Sequence, residues 1–195
     1  MSKDEKYWPE LEKQETVFKE FIQVDKLKLK DAKEKYDRYL VQRPDAVAAI
    51  LYHREAHAVV LVEQLRIAAL AAKDPEPHLW EIPAGLIDQD QSPEETVVRE
   101  VAEETGYRIE NPRFLVRTYS SPGLFSEKVH LFYAEVSDRD KHYEGGGLDK
   151  ENEYIKVIHL PISDMKEKLE KGQFKDGKTI MALQWLEMQL LSKKL

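Results

Sequence analysis

The segment from Gly85 to Tyr107, GLIDQDQSPEETVVREVAEETGY, constrains the fold of this chain more than any other segment. Ser92 and Glu95 have the spacing of a capping box, and Pro93 occupies the first helical position between them. Gly106 is typical of the residue that follows the end of a helix. The sequence therefore predicts a helix that begins after Ser92 and ends before Gly106.

Three glutamates of this helix, Glu100, Glu103 and Glu104, fall on one arc of its surface. Like charges at these spacings repel by roughly 0.2–0.5 kcal/mol per pair, so a compensating cation is expected. Mg²⁺ prefers oxygen ligands and shares its coordination shell with substrate phosphates. The acids beside a glycine turn therefore suggest metal-assisted phosphate chemistry. The alternative is a solvated acidic face on which Arg99 pairs with Glu95 or Glu103.

A set of fixed spacings decides between these alternatives, because it matches the Nudix box, Gx5Ex7REUxEExGU, where U is a bulky apolar residue. The matching residues are Gly85, Arg99, Glu100, Val101, Glu103, Glu104, Gly106 and Tyr107. The chain thus resembles the Nudix hydrolases. It departs from the box at Gln91, where the family usually has a glutamate that braces the box arginine. Gln91 is still expected to accept a hydrogen bond from Arg99.

The composition of the 195-residue chain excludes several kinds of chemistry. The sequence contains no cysteine, which rules out disulfides, thiolate metal sites and a cysteine nucleophile. Its net charge of −7 argues against a broad nucleic-acid surface and favours small polyphosphates as partners. The first ten residues are rich in charge and have no apolar core, and no apolar run in the sequence is long enough to span a membrane. We expect a soluble, cytoplasmic protein without nucleic-acid or membrane partners.

Strands that alternate with helices predict an α/β fold, and the resemblance implies a Nudix-type α/β/α sandwich with a mixed sheet. Residues 1–42 are predicted to form a small N-terminal β subdomain for dimerisation and substrate contacts, and residues 43–195 the Nudix hydrolase domain. Apolar runs predict strands at Ala46 to Tyr52 and Ala58 to Leu65. The hairpin between them carries His53 and His57, which are expected to be exposed and without a role.

The C-terminal half contains three further predictions. Asp138 to Lys150, with three consecutive glycines, is expected to be a mobile loop that leads to Glu151 and Glu153. Ser163 is predicted to cap a helix that runs to Lys171 and is stopped by Gly172. Helical spacing of apolar residues predicts a last helix from Lys178 to Ser192, with Trp185 in the core.

Segments outside the box resemble the ADP-ribose and nucleoside diphosphate sugar pyrophosphatase branch of the family, and together they cover most of residues 38–190. The segments are VVLVEQLRIAA (59–69), LWEIPAGLID (79–88), SPGLFSEK (121–128), GLDKENEYIKV (147–157) and ALQWL (182–186). Proteins of this branch are commonly domain-swapped homodimers. The resemblance implies the same assembly here, with the N-terminal domain of one subunit helping to form the partner's substrate pocket.

The resemblance also implies a set of metal ligands. These are the carbonyl of Ala84 and the carboxylates of Glu100 and Glu104, with Glu103 beside them and Glu153 reaching a further metal or supporting the base. The metal is expected to be Mg²⁺, with Mn²⁺ as a substitute.

Catalytic and substrate-binding roles follow in the same way. Glu151 is the leading general base for the attacking water, Glu153 is the alternative, and Glu103 is a further catalytic candidate. Arg66 is expected to bind the pyrophosphate, and Arg38 and Glu127 are candidates for further substrate contacts. Phe18, Phe21 and Tyr39 are candidates for base stacking, although aromatic side chains in a β-ribbon more often serve packing.

The implied function is Mg²⁺-dependent hydrolysis of the pyrophosphate bond of a nucleoside diphosphate sugar. ADP-ribose is the leading substrate, and it would give AMP and ribose 5-phosphate. GDP-mannose, or a broad range of nucleoside diphosphate sugars, is the close alternative. A module that senses ADP-ribose without cleaving it is a further alternative, supported by Gln91 alone. An RNA-directed Nudix enzyme is disfavoured by the acidic charge balance.

Overall fold

A computed structural model describes residues 8–88, 90–147 and 154–192 of the chain. Glu151 and Glu153 lie outside these described residues. The chain divides into two compact units. One contains the described residues up to Asp45 together with Thr118–Lys128, and the other contains the described residues of Ala46–Arg117 and those from Val129 onward.

The first unit is built on a three-stranded antiparallel sheet of β1 (Glu10–Lys19), β2 (Gln23–Lys30) and β3 (Lys35–Gln42). A short polar turn joins β2 to β3. Asp31 accepts hydrogen bonds from the backbone N–H groups of Lys33 and Glu34, at 2.8 and 3.0 Å. This side-chain turn lets β3 begin at Lys35.

A single carboxylate ties the three strands together. Asp25, in β2, is 0% exposed and accepts hydrogen bonds from Gln14 (2.6 Å), Thr16 (2.9 Å), Gln23 (2.9 Å) and Gln42 (3.1 Å). The hydrogen bond from Gln14, followed by those from the other three side chains, lowers the pKa of Asp25 to about 2. Ionised Asp25 is therefore part of the folded sheet.

Three aromatic side chains of this unit are exposed in the described chain. Phe21 is 95% exposed, and Phe18 and Tyr39 are also exposed. All ten residues of β1 are exposed. Whether Phe18, Phe21 and Tyr39 serve base stacking or packing against another surface therefore stays a prediction.

The second unit contains a mixed sheet of seven strands. Its main path runs β10-β5-β4-β9-β8, with β6 paired to β5 and β7 paired to β4, and the β4–β9 pair is parallel. The strands are β4 (Ala46–His53), β5 (Ala58–Leu65), β6 (His78–Glu81), β7 (Ala84–Leu86), β8 (Arg113–Tyr119), β9 (Lys128–Val136) and β10 (Lys156–Pro161). The helices are α1 (Ile67–Ala71), α2 (Pro93–Thr105), α3 (Ile162–Glu170) and α4 (Gly177–Leu191).

Helices cover both faces of this sheet, which explains the unbroken apolar run of β4. Ala48 and Ile50 belong to the core that contains Met165 of α3 and Leu183 of α4. Val47, Ala49 and Leu51, which alternate with them along β4, belong to a second core that contains Val101 of α2. The predicted α/β/α sandwich with a mixed sheet and an N-terminal β unit is confirmed.

The first residues of α3 and α4 differ from the predictions. α3 begins at Ile162 after Pro161 without a side-chain cap, so Ser163 lies inside the helix and its predicted capping role is wrong. α4 begins at Gly177, where Asp176 accepts a hydrogen bond from the backbone N–H of Thr179. Among the described helices, none has both the length and the apolar character needed to cross a membrane.

Candidate active site

The predicted glycine turn packs directly against α2. An ideal Cβ on Gly85 would lie 2.0 Å from Cδ of Glu100, so the carboxylate of Glu100 occupies the space that any side chain at position 85 would need. Next to it, the backbone N–H of Ala84 donates to Oε2 of Glu104 at 3.0 Å. Glu104 is 2% exposed. The turn and the helix therefore place two carboxylates beside the Ala84–Gly85 peptide.

Arg99 holds the acidic face of α2 together. Its guanidinium lies 2.8 Å from Glu103, 2.9 Å from Glu100 and 3.3 Å from Asp88. Burial by itself would lower the pKa of Arg99, but Glu100 and Glu103 outweigh it and raise that pKa above its usual value. Arg99 therefore partly neutralises the acidic face of α2 and links its carboxylates to Asp88.

Gln91 braces Arg99 as the sequence predicted. Its Oε1 accepts hydrogen bonds from Nε of Arg99 at 3.3 Å and from Oγ1 of Thr96 at 3.2 Å. Glu95, the other predicted partner of Arg99, instead completes the capping box by accepting hydrogen bonds from Ser92. A neutral amide can thus take the bracing position because the charge of Arg99 is already balanced by other acids.

The glycine-rich segment binds the C-terminal end of α2. The N–H groups of Gly146 and Gly147 donate to the carbonyl oxygens of Glu104 (2.8 Å) and Glu103 (3.2 Å), which no residue within the helix can reach. The φ angles of Gly145, Gly146 and Gly147 are +78°, +115° and +80°. The described part of this loop, predicted to be mobile, is therefore anchored to the helix that carries the acids. Glu151 and Glu153 follow it in the sequence.

Arg66 lies at the end of β5 and forms a two-point ion pair with Glu81 of β6. Nε and Nη2 of Arg66 donate to the two carboxylate oxygens of Glu81 at 2.5 and 2.6 Å. Burial by itself would lower the pKa of Arg66, but the hydrogen bonds to Glu81 and the charges of Glu81, Asp176 and Glu104 raise it. Arg66 belongs to the same unit as the acids of α2.

Arg38 and Glu127 both belong to the first unit. Nη1 of Arg38 donates to the backbone carbonyl of Asp37 at 3.0 Å, and its guanidinium lies 4.6 Å from the ring centre of Tyr36. Glu127 forms an ion pair with Arg43 at 3.4 Å. The structure therefore gathers Ala84, Glu100, Glu103 and Glu104 into one site within the second unit. The contacts given above for Arg38 and Glu127 are with other residues of the first unit.

The expectation that His53 is exposed is wrong. His53 is the last residue of β4 and is 2% exposed. Its Nε2 lies 3.2 Å from Asp138, and its Nδ1 accepts a hydrogen bond from the backbone N–H of Ala56 at 3.2 Å. The ring packs against Tyr107, which is itself hydrogen-bonded to His159 at 2.7 Å. The error arose because β4 extends one residue beyond the predicted end, into the buried layer.

The carboxylates of α2 are chemically suited to a hard divalent cation. Within residues 8–88, 90–147 and 154–192, no three acidic or histidine side chains converge as ready-made metal ligands. The structure does show the carboxylate of Glu100 seated in the space left by Gly85, and Glu104 held at Ala84. Two carboxylates and a backbone carbonyl are the oxygen donors that Mg²⁺ prefers, and this ion commonly takes remaining ligands from water and phosphate.

Comparison with known proteins agrees with this geometry. A family model described as the NUDIX domain matches residues 42–193. The GDP-mannose pyrophosphatase of Cronobacter sakazakii is 39% identical over 155 residues, which are 80% of each chain. The GDP-mannose pyrophosphatase of Shigella flexneri serotype 5b is 37% identical over 157 residues, or 80% of this chain and 81% of the relative.

A solved structure shows the same fold. The crystal structure of an ADP compounds hydrolase superposes with a TM-score of 0.75 and covers 95% of both chains, at 22% sequence identity. The chain belongs to the Nudix family, and it is a Nudix pyrophosphohydrolase. The family predicted from the box is confirmed, and so is the class of enzyme. Nudix hydrolases generally need a divalent metal ion.

Proposed function

We propose that this enzyme hydrolyses the pyrophosphate bond of nucleoside diphosphate sugars and uses Mg²⁺ as its metal ion. The observation that carries the proposal is the placement of Glu100 and Glu104 against the Ala84–Gly85 turn. Arg66 lies in the same unit and carries a guanidinium suited to phosphate oxygens. The site thus combines a metal platform with a phosphate-binding group.

The reaction needs its negative charges neutralised before water can attack. Bound Mg²⁺ would neutralise the pyrophosphate and acidify water. In this chain, Glu100, Glu104 and the carbonyl of Ala84 would hold the ion, and Arg66 would orient the pyrophosphate. Glu151 or Glu153 would accept the proton of the attacking water. The water oxygen bonds to one phosphorus while the bond from that phosphorus to the bridging oxygen breaks, which gives two phosphate monoesters.

The named relatives change the order of the candidate substrates. The two curated relatives described above are GDP-mannose pyrophosphatases that match about 80% of this chain. We therefore place GDP-mannose first, with GMP and mannose 1-phosphate as products, and ADP-ribose second. This order rests on sequence similarity, because the site residues proposed above would hold the metal ion and the pyrophosphate, which all of these substrates share.

A substrate panel tests the proposal. The purified chain is incubated with Mg²⁺ and GDP-mannose, ADP-ribose, ADP-glucose or NADH, and the products are separated by anion-exchange chromatography. We expect release of a nucleoside monophosphate and a sugar phosphate, fastest with GDP-mannose, with at least about 100-fold slower release from Glu104→Gln and no products in the presence of EDTA. Recovery of all four compounds intact would overturn the proposal.

We also infer that the enzyme works as a domain-swapped homodimer. The first unit presents large apolar side chains at its surface, including Trp8, Phe18, Phe21 and Tyr39, and contiguous exposed apolar groups commonly mark interaction sites. In such a dimer Arg38 and Glu127 would contribute to the partner's substrate pocket. Size-exclusion chromatography with light scattering should give a dimer mass. A monomer mass for fully active enzyme would exclude this assembly.

A further inference from the structure

Arg66 is held by a buried carboxylate instead of standing alone at the surface. The side chain of Glu81 is 3% exposed, whereas that of Arg66 is 38% exposed. Nε and Nη2 of Arg66 both donate to Glu81, and such a two-point pair keeps the guanidinium and the carboxylate nearly coplanar. The orientation of Arg66 is therefore set by the orientation of Glu81.

The carboxylate of Glu81 has a second cation, supplied by the first turn of α4. Nζ of Lys178 donates to Oε2 of Glu81, the oxygen that also accepts from Nη2 of Arg66. Burial by itself would raise the pKa of Glu81, but Arg66 and Lys178 outweigh it and lower that pKa. Glu81 is thus an ionised, buried carboxylate fixed by donors from two different elements.

Lys178 is in turn fixed by the cap of its own helix. Oδ2 of Asp176 accepts from Nζ of Lys178 (3.0 Å) and from both the N–H (3.0 Å) and the hydroxyl (2.6 Å) of Thr179. The hydroxyl oxygen of Thr179 accepts from the N–H of Ile82 at 3.0 Å. The start of α4 therefore supports both Glu81 and the backbone that leads into the Ala84–Gly85 turn.

We propose that Lys178 is a positioning residue for substrate binding, which acts through Glu81 to orient Arg66. The proposal rests on the function proposed above. With Lys178 present, Oε2 of Glu81 is held from the α4 side, so the carboxylate cannot rotate away from Arg66 without breaking a buried ion pair. The guanidinium then turns a constant edge toward the pyrophosphate. Without Lys178, Glu81 and Arg66 are free to rotate together.

The test uses two Lys178 variants and a neighbouring lysine as control. Lys178→Met keeps the aliphatic stem but removes the charge, and Lys178→Arg restores a donor. Lys175→Met is the matched control, because Lys175 pairs with Asp74 at 2.7 Å outside the Glu81 network. Steady-state kinetics with GDP-mannose and Mg²⁺ should show a rise in KM of about 10-fold for Lys178→Met, with kcat within about threefold of wild type. Lys178→Arg should recover most of the loss, and Lys175→Met should match wild type.

A double-variant cycle separates positioning from a general loss of structure. In an Arg66→Ala background, which itself should raise KM, adding Lys178→Met should cause no further rise, because its effect passes through Arg66. The inference is overturned if Lys178→Met leaves KM unchanged, or if its effect is undiminished in the Arg66→Ala background. If Arg66→Ala leaves KM unchanged, the proposed role of Arg66 fails, and the inference fails with it. Absence of wild-type turnover on the whole panel would instead refute the proposed function.

Discussion

Replacement of Gly85 by alanine should separate turnover from folding. An ideal Cβ at this position would lie 2.0, 2.1 and 2.3 Å from the three atoms of the Glu100 carboxylate. The backbone itself accepts alanine, because the φ of Gly85 is not in the left-handed region. The carboxylate is the far end of a flexible side chain, so it moves in preference to the backbone. It has to move by about 1.4 Å to reach an ordinary contact distance of about 3.4 Å.

The displacement sets the size of the expected effect. A misplacement of about 1 Å in a catalytic constellation can reduce the rate by about 100-fold, which corresponds to about 2.7 kcal/mol in the activation free energy. The cost to stability is smaller, because an altered side-chain rotamer costs about 0.5–1.5 kcal/mol and the loss of glycine flexibility returns about 0.4–1 kcal/mol. We therefore expect kcat to fall by about 100-fold while Tm changes by less than about 4 °C.

The assay is product release from GDP-mannose at saturating Mg²⁺, with thermal unfolding of the same samples. Gly177→Ala is the matched control, because an added Cβ there meets no atom within 4 Å and φ is not positive. It should keep wild-type turnover. A Gly85→Ala enzyme with wild-type kcat would show that the position of the Glu100 carboxylate does not matter for the reaction. A large loss of Tm would show that the backbone moves instead.

Three further tests address other parts of the molecule. Glu104→Gln should reduce kcat by at least about 100-fold with little change in Tm. Gln91→Glu should change the activation free energy and the free energy of unfolding by about 1 kcal/mol or less each. Steady-state kinetics and thermal unfolding measure both variants. The stability that ionised Asp25 contributes should be present above about pH 4 and lost as pH falls toward its folded pKa of about 2, because that pKa is depressed from 3.8. Asp25→Asn should therefore flatten the decline in urea midpoint between pH 4 and pH 2, and parallel curves for the two proteins would contradict this. Gly145→Ala should destabilise the enzyme more than Gly172→Ala. Both glycines have positive φ values, but only a Cβ at position 145 would meet backbone atoms, the nearest at 2.5 Å. Equal urea midpoints for the two variants would contradict the anchoring of the loop.

The helix α2 and the sheet could be predicted because their signals are local. Ser92 and Glu95 form both hydrogen bonds of the capping box, and Gly106 takes the left-handed φ of +74° that its place after the helix requires. Strand β4 was visible as an apolar run because both of its faces are buried. In each case, the residues that mark the element also make the contacts that stabilise it.

The ion-pair network of Arg66 could not be predicted because its partners are far apart in the sequence. Glu81 lies 15 residues from Arg66, and Lys178 lies 97 residues from Glu81. Neither residue stands out among the many charged residues of the chain. Helix α1 was missed for a related reason, since its five residues have no side-chain cap and none is buried. Ser163 is a residue type that often caps helices, but α3 begins one residue earlier, at Ile162, directly after Pro161.

The three consecutive glycines have a different structural role from the mobility that they predict. Its composition suggests mobility, but its positive φ values bring the backbone close to α2, where Gly146 satisfies the carbonyl of Glu104. The side chain of the same glutamate accepts from Ala84. Glu104 thus joins the glycine turn to the start of the segment that leads to Glu151. A shift of α2 would move the predicted metal platform together with the described glycines, which preserves their relative positions. The glycines are therefore required because the backbone of the loop approaches α2 closely. Substitution of these glycines should disturb the alignment of the site more than it changes the flexibility of the loop.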